Sequence, residues 1–192
     1  MKPISKIALD IHPSSTLAVN AKAKQMKADG IDVIGFGAGE PDFDTPDNIR
    51  EAGIKAIRDG KTKYTPAAGI IPLRKAAAER LRADCGISYD YTQIVIASGA
   101  KHNVFIALAV ITDPGDEVII PAPYWVSYYE MVRMTGGVPV VVNAPESQGF
   151  KMTPAQLEAA ITDKTKALLL NNPSNPTGMF YTKDELAAIA EV

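Results

Sequence analysis

An apolar run that collides with two prolines constrains this chain more than any other stretch. Lys166 to Leu170 places Ala-Leu-Leu-Leu behind a lysine, which reads as a short strand covered on both faces. Asn171-Asn172-Pro173-Ser174-Asn175-Pro176-Thr177-Gly178 follows it. Neither proline can donate to a ladder, so the strand must end at a sheet edge and present amides there. In an open α/β sheet, ligands are met beyond the carboxyl ends of the strands, which is where Asn172 and Asn175 are expected to stand. On composition alone the same eight residues read as a proline-rich turn with surface asparagines.

The remainder of the chain alternates between the two regular periods. Strands are expected at Asp32 to Phe36, Gln93 to Ala97, Glu117 to Ile120 and Val138 to Val142. Helices are expected from a Thr16 cap through Asp29, from a Thr45 cap to Gly60, from Pro72 to Gly86, from Ala100 to about Thr112 and from Tyr124 to about Thr135. Thr153-Pro154-Ala155-Gln156 and Thr182-Lys183-Asp184-Glu185 are capping boxes. The first opens a helix to Ile161, the second one that reaches Val192 without a C-cap. Strands separated by helices require crossovers. The expected fold is therefore α/β, three-layered, with a mostly parallel sheet and helices on both faces, preceded by an aperiodic arm over residues 1–15 and a helix.

With 192 residues, 46% hydrophobic and 22% charged, and a net charge of −2, the chain can bury a core and is not disordered. Nothing in the charge pattern points to nucleic acid. The longest apolar run, Val104 to Ile111, is too short to span a bilayer, and Met1-Lys2-Pro3-Ile4 lacks the apolar centre of a signal peptide, so no membrane partner and a cytoplasmic location are expected. A single cysteine, Cys85, and two histidines leave neither an internal disulfide nor a metal cluster.

Several stretches have residue types suited to chemistry. Ser98-Gly99-Ala100-Lys101 lies between an expected strand and a helix, where small residues let backbone amides approach an anion at the helix N-terminus. Small residues also begin many helices only because the chain must turn. Ser98 and Lys101 also match the S-x-x-K of serine acyl enzymes, but that chemistry needs S-D-N and K-T-G partners, which the chain lacks. The three alternating glycines at Gly35, Gly37 and Gly39 are not a dinucleotide fingerprint, because Glu40 takes the place of the third required glycine and Pro41 follows. Trp125, the only tryptophan, follows a strand end and can lie on a flat heterocycle or simply pack in the core.

In order along the chain, G-E-P-D-F-D-T-P, K-T-K-Y-x-P-x-x-G, S-G-A-K, P-x-Y-W-x-S-Y and N-N-P-x-N-P-T-G together resemble the pyridoxal-phosphate-dependent aminotransferases of fold type I, and the bacterial aspartate aminotransferases among them. The resemblance runs from Ser14 to the end. It implies pyridoxal 5'-phosphate as cofactor, with Ser98, Gly99, Ala100 and Lys101 around its phosphate and Tyr64 reaching that phosphate from a neighbouring subunit. It implies that Trp125 stacks on the ring and that Asn175 hydrogen-bonds its phenolic oxygen. Gly39 would offer its amide to the substrate carboxylate, with Trp125 and Asn175 also at the substrate; Ser15, Thr16 and Lys101 would lie near the side chain of a dicarboxylate. A homodimer with shared active sites follows, as do L-aspartate and 2-oxoglutarate as substrates. A pyridoxal-dependent lyase of the same fold and a noncatalytic fragment are the alternatives. His12 stands where some members carry a lysine linked to prephenate, a departure that argues against that activity. The resemblance also divides the chain into residues 1–45, on the small-domain side, and 46–192, the first part of the cofactor-binding large domain. The Schiff-base lysine segment falls outside the chain, so no catalytic residue is assigned and the 192 residues are expected to be inactive alone.

Overall fold

The structure is a computed structural model that describes residues 3–37 and 39–192. Met1 and Lys2 of the expected arm, and Ala38 of the loop from Gly35 to Pro46, lie outside the described residues. The chain folds as two compact units, one made of Met1–Ala38 with Phe105–Val192 and the other of Gly39–Val104.

In the first unit, helix α1 (Lys6–Asp10) begins where Ser5 accepts the Ala8 amide at 3.2 Å. The expected aperiodic arm thus contains a helical turn, which five residues are too few to announce by period. Helix α2 (Ser15–Ala28) is capped by Ser14, which accepts the Leu17 amide, and not by Thr16. Ser14 is the residue whose extended backbone directs an oxygen at that amide. Asp32 to Phe36 forms no strand: it has no ladder partner among the described residues, and Ile34 and Phe36 are exposed.

The second unit holds α3 (Asp47–Arg58) and α4 (Ile71–Cys85). Thr45 does not cap α3; Pro46 takes that place without a side-chain bond. Gly86, left-handed at φ +70, closes α4 as expected. Gln93 to Ala97 is a second correction. Gln93 ends a 3-10 turn begun at Tyr91, and Ile94 is extended at φ −102 and ψ 130, yet no ladder forms. Arg74 donates Nε to the Ile94 carbonyl at 2.8 Å, and the Ile96 amide donates to Ala68 at 3.1 Å. A side chain and a loop thus take two of the groups a neighbouring strand would have used. Helix α5 (Ala100–Ile111) spans the division between the units.

Three parallel strands form the sheet: β1 (Glu117–Ala122), β2 (Val138–Asn143) and β3 (Thr165–Leu168), in the order β2-β1-β3. The first two run one or two residues beyond their expected ends. The third begins and ends earlier than expected, and its register against β1 shifts so that Thr165 pairs with Glu117 but Ala167 with Val118, leaving Lys166 as the extra residue. Helix α6 (Ser127–Met134) starts three residues later than expected, because the chain after Pro123 first makes a turn in which the Tyr128 amide donates to the Trp125 carbonyl at 2.9 Å. Helices α7 (Pro154–Ala160) and α8 (Lys183–Ala190) open on both expected capping boxes; Glu191 caps α8, so that helix stops short of Val192.

Strand β1 is central, and Val118, Ile119 and Ile120 are wholly buried. Ile119 packs with Met152, Leu157 of α7 and Ile189 of α8, against Val140, Val142 and Leu168. Alternation sends Val118 and Ile120 to the opposite face. The step from β1 to β2 crosses the sheet one way, and the step from β2 to β3 returns past β1. Right-handed crossovers therefore put α6 and α7 on opposite faces, and α6 contributes buried Tyr128, Met131 and Val132. The architecture is α/β with a parallel open sheet and helices, as the alternation of periods implies.

Candidate functional site

Strands β1 and β3 are neighbours, but the chain leaves them toward different faces: β1 leads into α6, and β3 into α8, which packs beside α7. This is a topological switch point, where the chain ends diverge and open a crevice beyond the strands. A pocket of about 20 Å³ lies there, lined by Pro121 at the end of β1, by Pro123 and Tyr124 after it, and by Leu169 to Asn171, Ser174 and Asn175 after β3. Three X-Pro peptide bonds around it are cis: Ala122-Pro123, Asn172-Pro173 and Asn175-Pro176.

The asparagines of this mouth have different tasks. Asn171 accepts the Asn175 amide on its side-chain oxygen at 2.9 Å. Asn172 accepts the Tyr181 amide at 2.8 Å and donates to the Tyr181 carbonyl at 3.4 Å. The expectation that Asn172 meets a small molecule is therefore corrected, since its amide copies a strand partner for Tyr181. The phenolic oxygen of Tyr181 in turn accepts the buried Met152 amide at 2.7 Å. The loop is closed by Ser174, whose amide donates to Met179 and whose carbonyl accepts from Gly178, both at 2.8 Å. Asn172 and Asn175 are both exposed, but of the two only Asn175 lines the pocket.

On the β1 side, Trp125 is half-buried, and its indole meets the buried Tyr128 ring edge to face, centroids 5.3 Å apart. That contact sets the plane of the indole and is of the kind that contributes about 0.5–1.5 kcal/mol beyond area. Burial pushes the phenols of Tyr124, Tyr128 and Tyr181 up, so each stays protonated at neutral pH. Ser15 and Thr16, in the same unit, are exposed on the first turn of α2.

In the other unit, Ser98, Gly99, Ala100 and Lys101 are contiguous and exposed. Gly99 is left-handed at φ +84, and α5 begins when its carbonyl accepts the Asn103 amide at 3.3 Å. A twelve-residue helix thus starts at a turn only glycine adopts without strain, the arrangement that favours an anion. Tyr64 is fully exposed. Its loop is stitched to the extended segment that leads into this turn: a Cβ on Gly69, φ +96, would come within 2.9 Å of the Ile96 side chain. Gly39 is exposed, with nothing within 4 Å of where its Cβ would stand.

The structure thus gathers the Trp125 segment and Asn175 at one strand-end mouth, and Ser98 to Lys101 at one helix start. Sequence reasoning missed Tyr181 and Arg74, and named Asn171 and Gly69 only as members of their motifs, without a role of their own. Asn-x-x-x-Asn before a proline was a legible sign for Asn171, whereas nothing local marks Tyr181. Within the first unit, an indole and an exposed carboxamide suit a flat aromatic ring; within the second, the glycine turn at a helix start suits an anion. Among the described residues no cluster could hold a metal ion, and no helix is long and apolar enough to cross a membrane.

Comparison with known proteins bears on this arrangement. The family model for aminotransferase class I and II matches residues 31–192. The chain is 54% identical over 180 residues to an aspartate aminotransferase of Bacillus sp. (strain YM-2), and 54% identical over 182 residues to an aspartate/prephenate aminotransferase of Cereibacter sphaeroides; these matches cover 94% and 95% of the chain and 46% of each relative. The structure of an aspartate aminotransferase from Thermus thermophilus, solved with maleate, superposes with a TM-score of 0.96 at 46% identity, covering all of this chain and 50% of that one. The chain spans about half the length of the curated relatives it matches.

Proposed function

The chain belongs to the aminotransferase class I and II family, which is pyridoxal-phosphate-dependent, and from that premise we propose that it carries the N-terminal part of an aspartate aminotransferase. The reaction would move an amino group between L-aspartate and 2-oxoglutarate. One observation supports this most: the exposed carboxamide residue Asn175 lines the pocket at the switch point between β1 and β3, where such a fold meets its ligands, and Tyr124, which lines it from the β1 side, is followed directly by Trp125. Trp125 would lie on the pyridine ring, Asn175 would donate to its phenolic oxygen, and Ser98, Gly99, Ala100 and Lys101 would hold the phosphate, with Tyr64 reaching it from a second subunit. The bound cofactor supplies an electron sink for charge developing beside the substrate amino group. This chain's residues would bind, orient and cover one side of it. Gly39 would offer its amide to the substrate carboxylate, and Ser15, Thr16 and Lys101 would face the second carboxylate. The maleate carried by the Thermus relative is such a dicarboxylate. Residues 1–45 act as arm and small-domain side and 46–192 as the first part of the large domain, in a cytoplasmic homodimer.

The test is transamination by the complete protein that carries these residues, with L-aspartate and 2-oxoglutarate. Turnover that falls at least about a hundredfold in Asn175→Ala, as for loss of a specific polar contact to a reacting group, supports the reading. Release of ammonia or another elimination product without formation of glutamate would replace it with a lyase.

A further inference from the structure

The docking of the N-terminal arm on α6 has no role in the site as described so far. Arg133 donates Nη1 to the Asp10 carbonyl at 2.8 Å and Nη2 to the Asp10 carboxylate, across 123 positions of sequence. Nδ1 of His12 lies 3.2 Å from Oε1 of Glu130, and the other oxygen of Glu130 faces Nη1 of Arg133 at 3.6 Å. The guanidinium lies over the Tyr129 ring at 5.8 Å. Exposure is asymmetric. The side chains of Glu130 and Arg133 are 19% and 23% exposed, those of Asp10 and His12 69% and 77%. A half-buried receptor on the core helix thus holds an exposed arm.

Two consequences follow from chain connectivity. Glu130 and Arg133 are three apart and share a face of α6. That helix begins two residues after Trp125, while the arm residues it grips lie three to six positions before Ser15 and Thr16. One helix therefore sets both the indole and the start of α2. An arm held only by chain connection would place Ser15 and Thr16 over a range of positions. One anchored by charge-assisted bonds to Asp10, with Arg133 itself oriented by Glu130, is fixed.

We infer that Arg133, oriented by Glu130, is a positioning residue that fixes the arm and thereby the contact of Ser15 and Thr16 with the second carboxylate of a dicarboxylate substrate. The inference rests on the proposed aspartate specificity. It predicts a selective effect: the anchor matters for substrates with a second carboxylate and not for those without one.

The experiment compares Arg133→Gln, Arg133→Lys, Asp10→Ala and the double variant Ser15→Ala/Thr16→Ala in the complete protein, with L-aspartate and L-tyrosine as amino donors. Arg133→Gln is expected to raise KM for L-aspartate about tenfold, the scale of one lost charge-assisted bond, with kcat within about twofold and KM for L-tyrosine unchanged. Asp10→Ala, on the exposed arm, repeats the effect without touching the core, and Arg133→Lys, which keeps the charge but not the paired Nη donation or the stacking on Tyr129, recovers only part of the loss. An equal rise for both donors, or none in Asp10→Ala and Arg133→Gln, overturns the inference. The double variant separates it from the underlying reading. If that variant leaves KM for L-aspartate unchanged, the reading of Ser15 and Thr16 fails and the inference with it; if it raises KM while Arg133→Gln and Asp10→Ala do not, only the inference fails.

Discussion

The mouth beyond β1 and β3 and the turn before α5 solve the same problem of exposing polar groups by opposite means. At the mouth, side chains hold the backbone: Asn171 ties Asn175, Asn172 ties Tyr181, and Tyr181 reaches a buried amide over the Ile119 core. At the turn, backbone conformation does the holding, through Gly99 at φ +84 and, upstream, Gly69 against Ile96. The difference means that the first region is coupled to the stability of the sheet, while the second is sensitive to any Cβ.

The comparison is tested most severely in the two apolar runs that look alike in sequence. Ile119→Ala, beneath the mouth, is expected to destabilise by about 2–5 kcal/mol in urea unfolding. Val95→Ala, in the extended segment before the turn where Val95 is 54% exposed, should stay within about 0.5 kcal/mol. Equal losses would mean that Gln93 to Ala97 is a buried strand after all. Next in size are the asparagines. Asn172→Ala leaves the buried neighbourhood of Tyr181 short of a partner and should lower stability by about 1–3 kcal/mol. Asn175→Ala should leave it within about 0.5 kcal/mol, because that side chain faces solvent.

Among the glycines, Gly69→Ala combines a left-handed backbone with a contact at 2.9 Å and should cost about 1–3 kcal/mol. Gly99→Ala, with nothing within 4 Å, carries only the backbone strain, about 1–2 kcal/mol. The smallest effect is electrostatic. The hydrogen bond from Lys151, followed by the Thr182 amide, holds the Glu185 carboxyl below its ordinary value of 4.5. A depressed carboxylate contributes stability above its unfolded-state value and loses it as pH falls through the folded-state value. The stability difference between the native chain and Lys151→Met should therefore be level above pH 4.5 and shrink below it, as followed by urea midpoints across pH.

Much of this was legible because local signals and tertiary structure agree. Both capping boxes open helices, Gly86 closes one, and the proline-asparagine stretch does follow the end of a strand. The failures share one cause. Gln93 to Ala97 has strand composition, but a strand exists only with a partner, and Arg74 and Ala68 took up its groups. Asn172 and Asn175 are equivalent in sequence and divided only by Tyr181, nine residues from Asn172. The grip of Arg133 on Asp10 crosses 123 positions and leaves no periodic trace.

The central claim is that the switch-point mouth receives the ring of a phosphorylated pyridine. Trp125 is the only tryptophan in the 192 residues, so its emission reports on that mouth alone. Titration with pyridoxamine 5'-phosphate, whose amine does not condense with surface lysines, should quench Trp125 fluorescence saturably, with weaker binding in Asn175→Ala. Absence of saturable quenching, or quenching that Asn175→Ala leaves unchanged, would contradict the claim.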